Sequence, residues 1–191
     1  SDRIFLVTLD FDKSLVGLYQ FADSVSNIFY MGSSALLYLL TPYYTRQLNE
    51  RKITVEKFIR KGIGIGLLWL IIWALFLFIA ATGITWLSPD YQAAIINIAL
   101  LSLVKYIMLL KFIPSTIYMV CHKEMQLLRN FLLVIPICLG LQLSTCLLMP
   151  EHALIMLPVI SIIGLIVIFI YSTFIQRSAW NMLKSPVNNG Q

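Results

Sequence analysis

Two lysines and one aspartate sit where charge is expensive. Lys105 and Lys111 fall inside an apolar stretch from Asp90 to Cys121, and Asp23 falls inside another from Leu15 to Tyr44. An ionised side chain at the centre of a bilayer costs roughly 2.5–3.5 kcal/mol on insertion scales. A span that keeps two lysines needs something for them to face: a water-filled cavity, an acidic partner or an anionic substrate. Asp23 lies about eight residues into its stretch and Lys105 about fourteen into its own, entering from the same side, so their depths differ by roughly 9 Å. A long lysine and some helix offset bridge that. Three arrangements fit: a structural ion pair that locks two helices, polar lining of a central cavity, or snorkelling to the interface. Lys111 is about 240° round the helix from Lys105, so the two do not point along one line, and snorkelling to the nearer interface suits it. Asn27, Asn97 and Gln142 are uncharged polar residues in apolar blocks, each able to hydrogen-bond across helices. Asn97, two turns before Lys105, is also placed to line a cavity. The candidate cavity set is Lys105, Asp23, Asn27, Asn97 and Lys111.

The elements that must position these residues follow from composition. The chain has 191 residues, 59% hydrophobic and 12% charged, with a mean hydropathy of +0.84. A soluble domain carries about 25% charge and about 45–50% apolar residues. The apolar excess is gathered into blocks of about 20 or more residues, the length that crosses a hydrocarbon core of roughly 30 Å. The expected fold is therefore an all-α integral membrane protein. Its spans cover about 15–44, 62–87, 91–120, 130–149 and 153–175, preceded by the end of another helix in 1–13, all in one transmembrane bundle over 1–191. Residues 176–191 form a tail, expected to be disordered from Pro186 onward. The first span is the most polar, and Gly32, Ser33, Ser34 and Ala35 leave room for a second backbone. Pro42 allows a kink or an end there, and Pro114 predicts a kink in the third span. Gly62 and Gly66 fit small-xxx-small helix packing, whereas Gly62-Ile63-Gly64-Ile65-Gly66 lacks the strand–turn–helix context of a dinucleotide loop.

Charge orients the bundle. The segment from Arg46 to Lys61 holds Arg46, Arg51, Lys52, Lys57, Arg60 and Lys61, and the loop near Lys123 and the tail with Arg177 and Lys184 are also basic. The turns at Ser88-Pro89-Asp90 and Pro150-Glu151-His152 have no Lys or Arg. By the positive-inside rule the chain starts outside, crosses five times and ends with its C-terminus in the cytoplasm. The net charge of +5 thus needs no nucleic acid to explain it. Cys121, Cys138 and Cys146 lack a metal spacing and read as small buried hydrophobes. His122 and His152 fall in loops on opposite sides. No catalytic constellation is visible, so neither an enzyme nor a cofactor is expected. The missing initiator Met suggests a piece of a longer protein or a processed one.

Asp2-Arg3-Ile4-Phe5-Leu6, followed by Leu15-Val16-Gly17-Leu18-Tyr19-Gln20-Phe21-Ala22 and then Pro42-Tyr43-Tyr44-Thr45-Arg46, resembles the second half of polysaccharide flippases. These are the O-antigen repeat-unit transporters of the multidrug/oligosaccharidyl-lipid/polysaccharide exporter superfamily. The likeness is motif-like over residues 2–46 and a pattern of spans beyond. It implies two bundles of six helices, with this chain supplying the end of the seventh helix and the eighth to twelfth. It further implies transport of an undecaprenyl-pyrophosphate-linked oligosaccharide across a bacterial inner membrane, for lipopolysaccharide or other polysaccharide synthesis. The implied partners are the lipid-linked oligosaccharide, membrane lipid, and the N-terminal bundle of the same protein or a second copy. Pyrophosphate is an anion that a lysine stabilises as a point charge, and two rocking bundles would give alternating access. Two rivals stand beside this reading. A drug/cation antiporter of the same fold would need an intramembrane acid, for which only Asp23 is available. A non-transporting membrane partner subunit would use the basic 46–61 segment to dock an anionic partner or lipid.

Overall fold

The computed structural model describes residues 12–87 and 89–172. Among them the chain is helical, without a strand. Helix α1 is Lys13–Asn49, α2 Val55–Leu87, α3 Ile95–Leu110, α4 Phe112–Val120, α5 Glu124–Leu148 and α6 Ala153–Ile170, with 3-10 turns at Pro89–Ala94 and Pro150–His152. The upstream segment in 1–11, the end of the fifth expected span beyond 172 and the tail lie outside the described residues.

Among the described residues four units are long and apolar enough to cross a membrane: α2, the run Pro89–Val120 that contains α3 and α4, α5, and α6. Their outward surfaces are apolar too. Leu67, Leu68, Ile71, Leu75, Phe78 and Ile79 of α2 are all exposed, as expected of a helix that is hydrophobic all round and meets lipid rather than water. Helix α1, which holds the expected first span, is not among them. Its 37 residues reach roughly 55 Å at 1.5 Å each, ample for a crossing. Gln20, Asp23, Ser24, Ser26, Asn27, Ser33 and Ser34 make it too polar to qualify on composition.

The helices overrun the apolar blocks. Residues 46–61 contain only a short connection, because α1 continues to Asn49 and α2 already starts at Val55. Val55, Phe58 and Ile59 are buried there while Glu56, Lys57, Arg60 and Lys61 are exposed, so an amphipathic turn extends the span at its boundary. Helix α5 likewise starts at Glu124 rather than near Asn130. Pro42 neither ends α1 nor lies at its terminus. Around it the hydroxyls of Thr41 and Thr45 donate to Leu37 O and Thr41 O, each at 2.8 Å.

Two helices end in the same device. Lys52 N–H reaches Gln47 O and Arg51 N–H reaches Leu48 O; in the same register Lys123 N–H reaches Tyr118 O and His122 N–H reaches Met119 O. This pairing satisfies the last carbonyls and requires a left-handed residue after the cap. Arg51 and His122 occupy it with φ of 54° and 53°, where glycine would be unstrained. Glu50 seals the first of these ends. Arg46 Nε and Lys52 Nζ each approach it to 2.6 Å, and their hydrogen bonds, Arg46's first, hold its carboxyl down to about 2.

Helix α3 is central, packed against α1, α2 and α6, with α5 outside against α6 and α4. One apolar cluster joins Leu48, Val55, Phe58, Phe112, Ile113 and Val120, so the two basic connections share one end of the bundle. A second cluster joins Val16, Ile84, Ala94, Cys146 and Ala153 at the other end. The glycines of α2 sort by face. A Cβ on Gly62 would lie 2.8 Å from the Ile113 side chain and one on Gly66 2.8 Å from Leu110, whereas Gly64 has nothing within 4 Å. Close approach of α2 to α3 and α4 therefore depends on Gly62 and Gly66, and Tyr106 OH uses it to donate to Gly66 O at 2.9 Å.

Two outcomes follow for thermal melts in detergent. His122→Gly is expected to stabilise by about 1 kcal/mol, because it relieves a left-handed side-chain residue. Gly62→Leu is expected to cost about 1–3 kcal/mol by overpacking against buried Ile113, while Gly64→Leu stays near the wild type; equal effects at 62 and 64 would contradict this packing.

Candidate functional site

Helices α1 and α3 meet through a ladder of polar contacts. Ser26 Oγ lies 2.7 Å from Ala22 O in its own helix and 3.3 Å from Ile98 O across the interface. On the adjoining face Lys105 Nζ donates to Asp23 Oδ1 at 2.6 Å and to Asn27 Oδ1. Asn27 Nδ2 in turn donates to Asp23 Oδ2 at 3.3 Å. Asp23 and Asn27 are four residues apart on one helix, which stacks them on one face, and Lys105 caps both. The Lys105 side chain is 13% exposed and that of Asp23 44%. The ammonium is therefore withdrawn from the surface, while the carboxylate keeps an open edge.

That edge faces a cavity of about 570 Å³ among α1, α3, α5 and α6, lined by Tyr19, Asp23, Lys105, Lys111, Gln142 and Ser161 together with apolar side chains of α3, α5 and α6. The sequence reading left an ion pair and a cavity lining as alternatives. The structure has both at once: the pair ties α1 to α3 and borders the cavity. Lys105 does not snorkel. A second cavity, of about 780 Å³, runs between α1 and the α3–α4 run towards Arg46 and Glu50. Met108 and Lys111 line both.

Lys111 departs from its expected place. It lines the same cavity as Lys105 although six residues of ideal helix separate their directions. The helix is interrupted between α3 and α4 at Lys111 itself, which keeps right-handed helical dihedrals, φ −57° and ψ −18°, and a lysine stem is long enough to reach a cavity from the flank of its helix. Pro114 has no N–H and its ring presses on the carbonyl four residues earlier, that of Leu110; the kink expected from Pro114 thus falls one turn before it. The Lys111 ammonium sits 4.6 Å from the centre of the Phe131 ring on α5, a cation–π contact.

Of the other polar candidates, Asn97 is buried but does not line the cavity, and its Oδ1 has no partner among the described residues. It lies one turn before Leu101, a cavity residue. Gln142 bonds across helices, its Nε2 donating to Ser161 Oγ at 2.9 Å and Leu157 O at 3.2 Å. Sequence reasoning missed Tyr19, Phe131 and Ser161. None carries a signal of its own, since an aromatic or a serine in an apolar block is ordinary. The three cysteines form no disulfide, and among the described residues no group of histidine, cysteine, aspartate and glutamate is placed to hold a metal ion. No family model, curated protein or solved structure matches the chain.

The ion pair is open to a charge-exchange test. Asp23→Ala strands the withdrawn ammonium and is expected to lower stability by about 2 kcal/mol, a value between those of exposed and fully buried pairs. The double exchange Asp23→Lys with Lys105→Asp should recover more than half of that in detergent melts. Additive losses in the double variant would mean that the two residues are not coupled.

Proposed function

We propose that this chain is one bundle of a transporter that carries a lipid-linked, pyrophosphate-bearing oligosaccharide across a bacterial inner membrane for polysaccharide or O-antigen synthesis. The observation that carries the reading is the cavity of about 570 Å³ inside an apolar helical bundle, with Asp23, Lys105 and Lys111 on its wall. Among the described residues one acid against two bases leaves that wall with a net positive charge, which suits a pyrophosphate and disfavours a cationic drug. The only aspartate on the wall is engaged by Lys105 at 2.6 Å, so a cation-binding antiporter would first have to displace an ammonium.

In this reading α1 is a fifth crossing, its polar face turned to the cargo path and its apolar residues to lipid or to a partner bundle. The N-terminal bundle of the same protein, or a second copy, closes the path from the other side, and rocking between the two gives alternating access. The end with the two basic connections faces the cytoplasm, as does the C-terminus. The prenyl tail stays in lipid while the sugar crosses along the polar wall.

Complementation tests this. The natural protein carrying this chain is expressed in cells that lack their own repeat-unit flippase but retain the matching glycan pathway, and the lipopolysaccharide ladder is read on a gel. The expected outcome is a restored ladder with the parent and a depleted one with Lys105→Ala, at near-normal protein levels in the membrane. A well-expressed parent that restores nothing would remove the glycan cargo. Equal loss of ladder and protein with Lys105→Ala would assign the pair to structure alone.

A further inference from the structure

The proposed cargo is an anion, yet one of the two lysines on the cavity wall is already neutralised. Lys105 has Asp23 at 2.6 Å. At the far end of the larger cavity Arg46 is engaged by Glu50, which Lys52 also contacts. Each acid on the two cavity walls is thus held by a base. Lys111 is left over. Among the described residues it forms no ion pair, and its ammonium rests on the face of Phe131. It also lines both cavities, and with Met108 marks where they meet. Tyr30 and Ser115 also line the larger cavity.

We infer that Lys111, at the junction of the two cavities, is the residue that holds the phosphate of a lipid-borne ligand, and that Lys105 is a positioning residue which fixes α1 against α3. The chemistry is that of a desolvated ammonium supported by a ring face. A cation–π contact stabilises the charge without supplying an oxygen, so the three N–H donors of the ammonium stay available to phosphate oxygens, with Tyr30 and Ser115 as further donors on the wall. Charge-assisted contacts of this kind are the strong ones. The helix is interrupted at Lys111, which lies on the wall that the two cavities share. A phosphate held there has room on both sides, about 570 Å³ and about 780 Å³, as an amphiphile with substituents on either side of its phosphate requires. The inference rests on the transport reading for the identity of the cargo; the phosphate contact itself rests on the cavities and the charge pairing.

Binding to the purified full-length protein in detergent tests it, with polyprenyl phosphate as ligand, polyprenol as its neutral counterpart and inorganic pyrophosphate as competitor. Lys111→Gln is expected to weaken polyprenyl phosphate binding about tenfold, the loss of one charge-assisted contact. Lys111→Arg keeps most of it, and polyprenol binding is unaffected by either. Pyrophosphate competes in the wild type but not in Lys111→Gln. The Tm with polyprenyl phosphate minus the Tm with polyprenol is read on each variant's own baseline, so a weakened fold does not mask the result. Unchanged discrimination between phosphate and alcohol in Lys111→Gln would overturn the inference, as would its loss in Lys105→Gln alone. If phosphatidylglycerol binds as tightly as polyprenyl phosphate, and with the same dependence on Lys111, the phosphate site stands and the oligosaccharide cargo falls.

Discussion

A charge withdrawn into an apolar bundle must be answered by another charge, and the placement of α1 depends on this requirement. Lys105 lies on the central helix, and its ammonium can be satisfied there only by groups brought from outside. Helix α1 supplies two at once, Asp23 and Asn27, one turn apart. The same register buries Tyr19, Ala22, Ser26, Phe29 and Ser33, a stripe at helical spacing. Packing and ion pair are thus not independent. A rotation of α1 that removed Asp23 from Lys105 would also withdraw its apolar stripe from α3. This explains how the most polar helix of the chain stays in an apolar bundle. Asp23 and Asn27 bond to each other and to Lys105, and Ser26 to carbonyls of α1 and α3, rather than facing hydrocarbon.

The ion pair was legible in sequence because it rests on scarcity. The first apolar block has one acid, the third has two lysines, and depth along ideal helices brings Asp23 within reach of Lys105. Gly62 and Gly66 were legible for a similar reason: a four-residue spacing of small residues in an otherwise bulky helix has one economical use. The ends of the helices were not legible. Hydropathy marks where lipid would lie, whereas a helix ends where its hydrogen bonds do, and residues 55–61 and 124–129 continue the ladder through charged sequence. The left-handed positions at Arg51 and His122 had no local signal either, since the residues that prefer that conformation are absent from both.

Lys111 is the instructive failure. An ideal helix sets Lys111 about 120° from Lys105, yet the two line one cavity, because a lysine stem reaches round the flank of its helix. The contact that holds the ammonium, with Phe131, belongs to another helix whose rotation no local pattern fixes. Sequence periodicity therefore located the costly charges but could not say which of them would be left without a counter-charge.

That distinction decides what each lysine can do. A cation paired with a carboxylate at 2.6 Å can take up an external anion only by giving up an interaction already made in a low-dielectric setting, so the net gain is small. A cation on a ring face gives up much less, because the ring offers a quadrupole and not a charge. The two lysines consequently divide between them what one could not do well alone. Lys105 spends its charge on the register of α1 and α3 and keeps the cavity wall in place. Lys111, set on the wall that the two cavities share, keeps its charge for whatever enters. The division also makes Asp23 more than a counter-ion: by satisfying Lys105 it prevents an anion from settling there, and leaves Lys111 as the place for one.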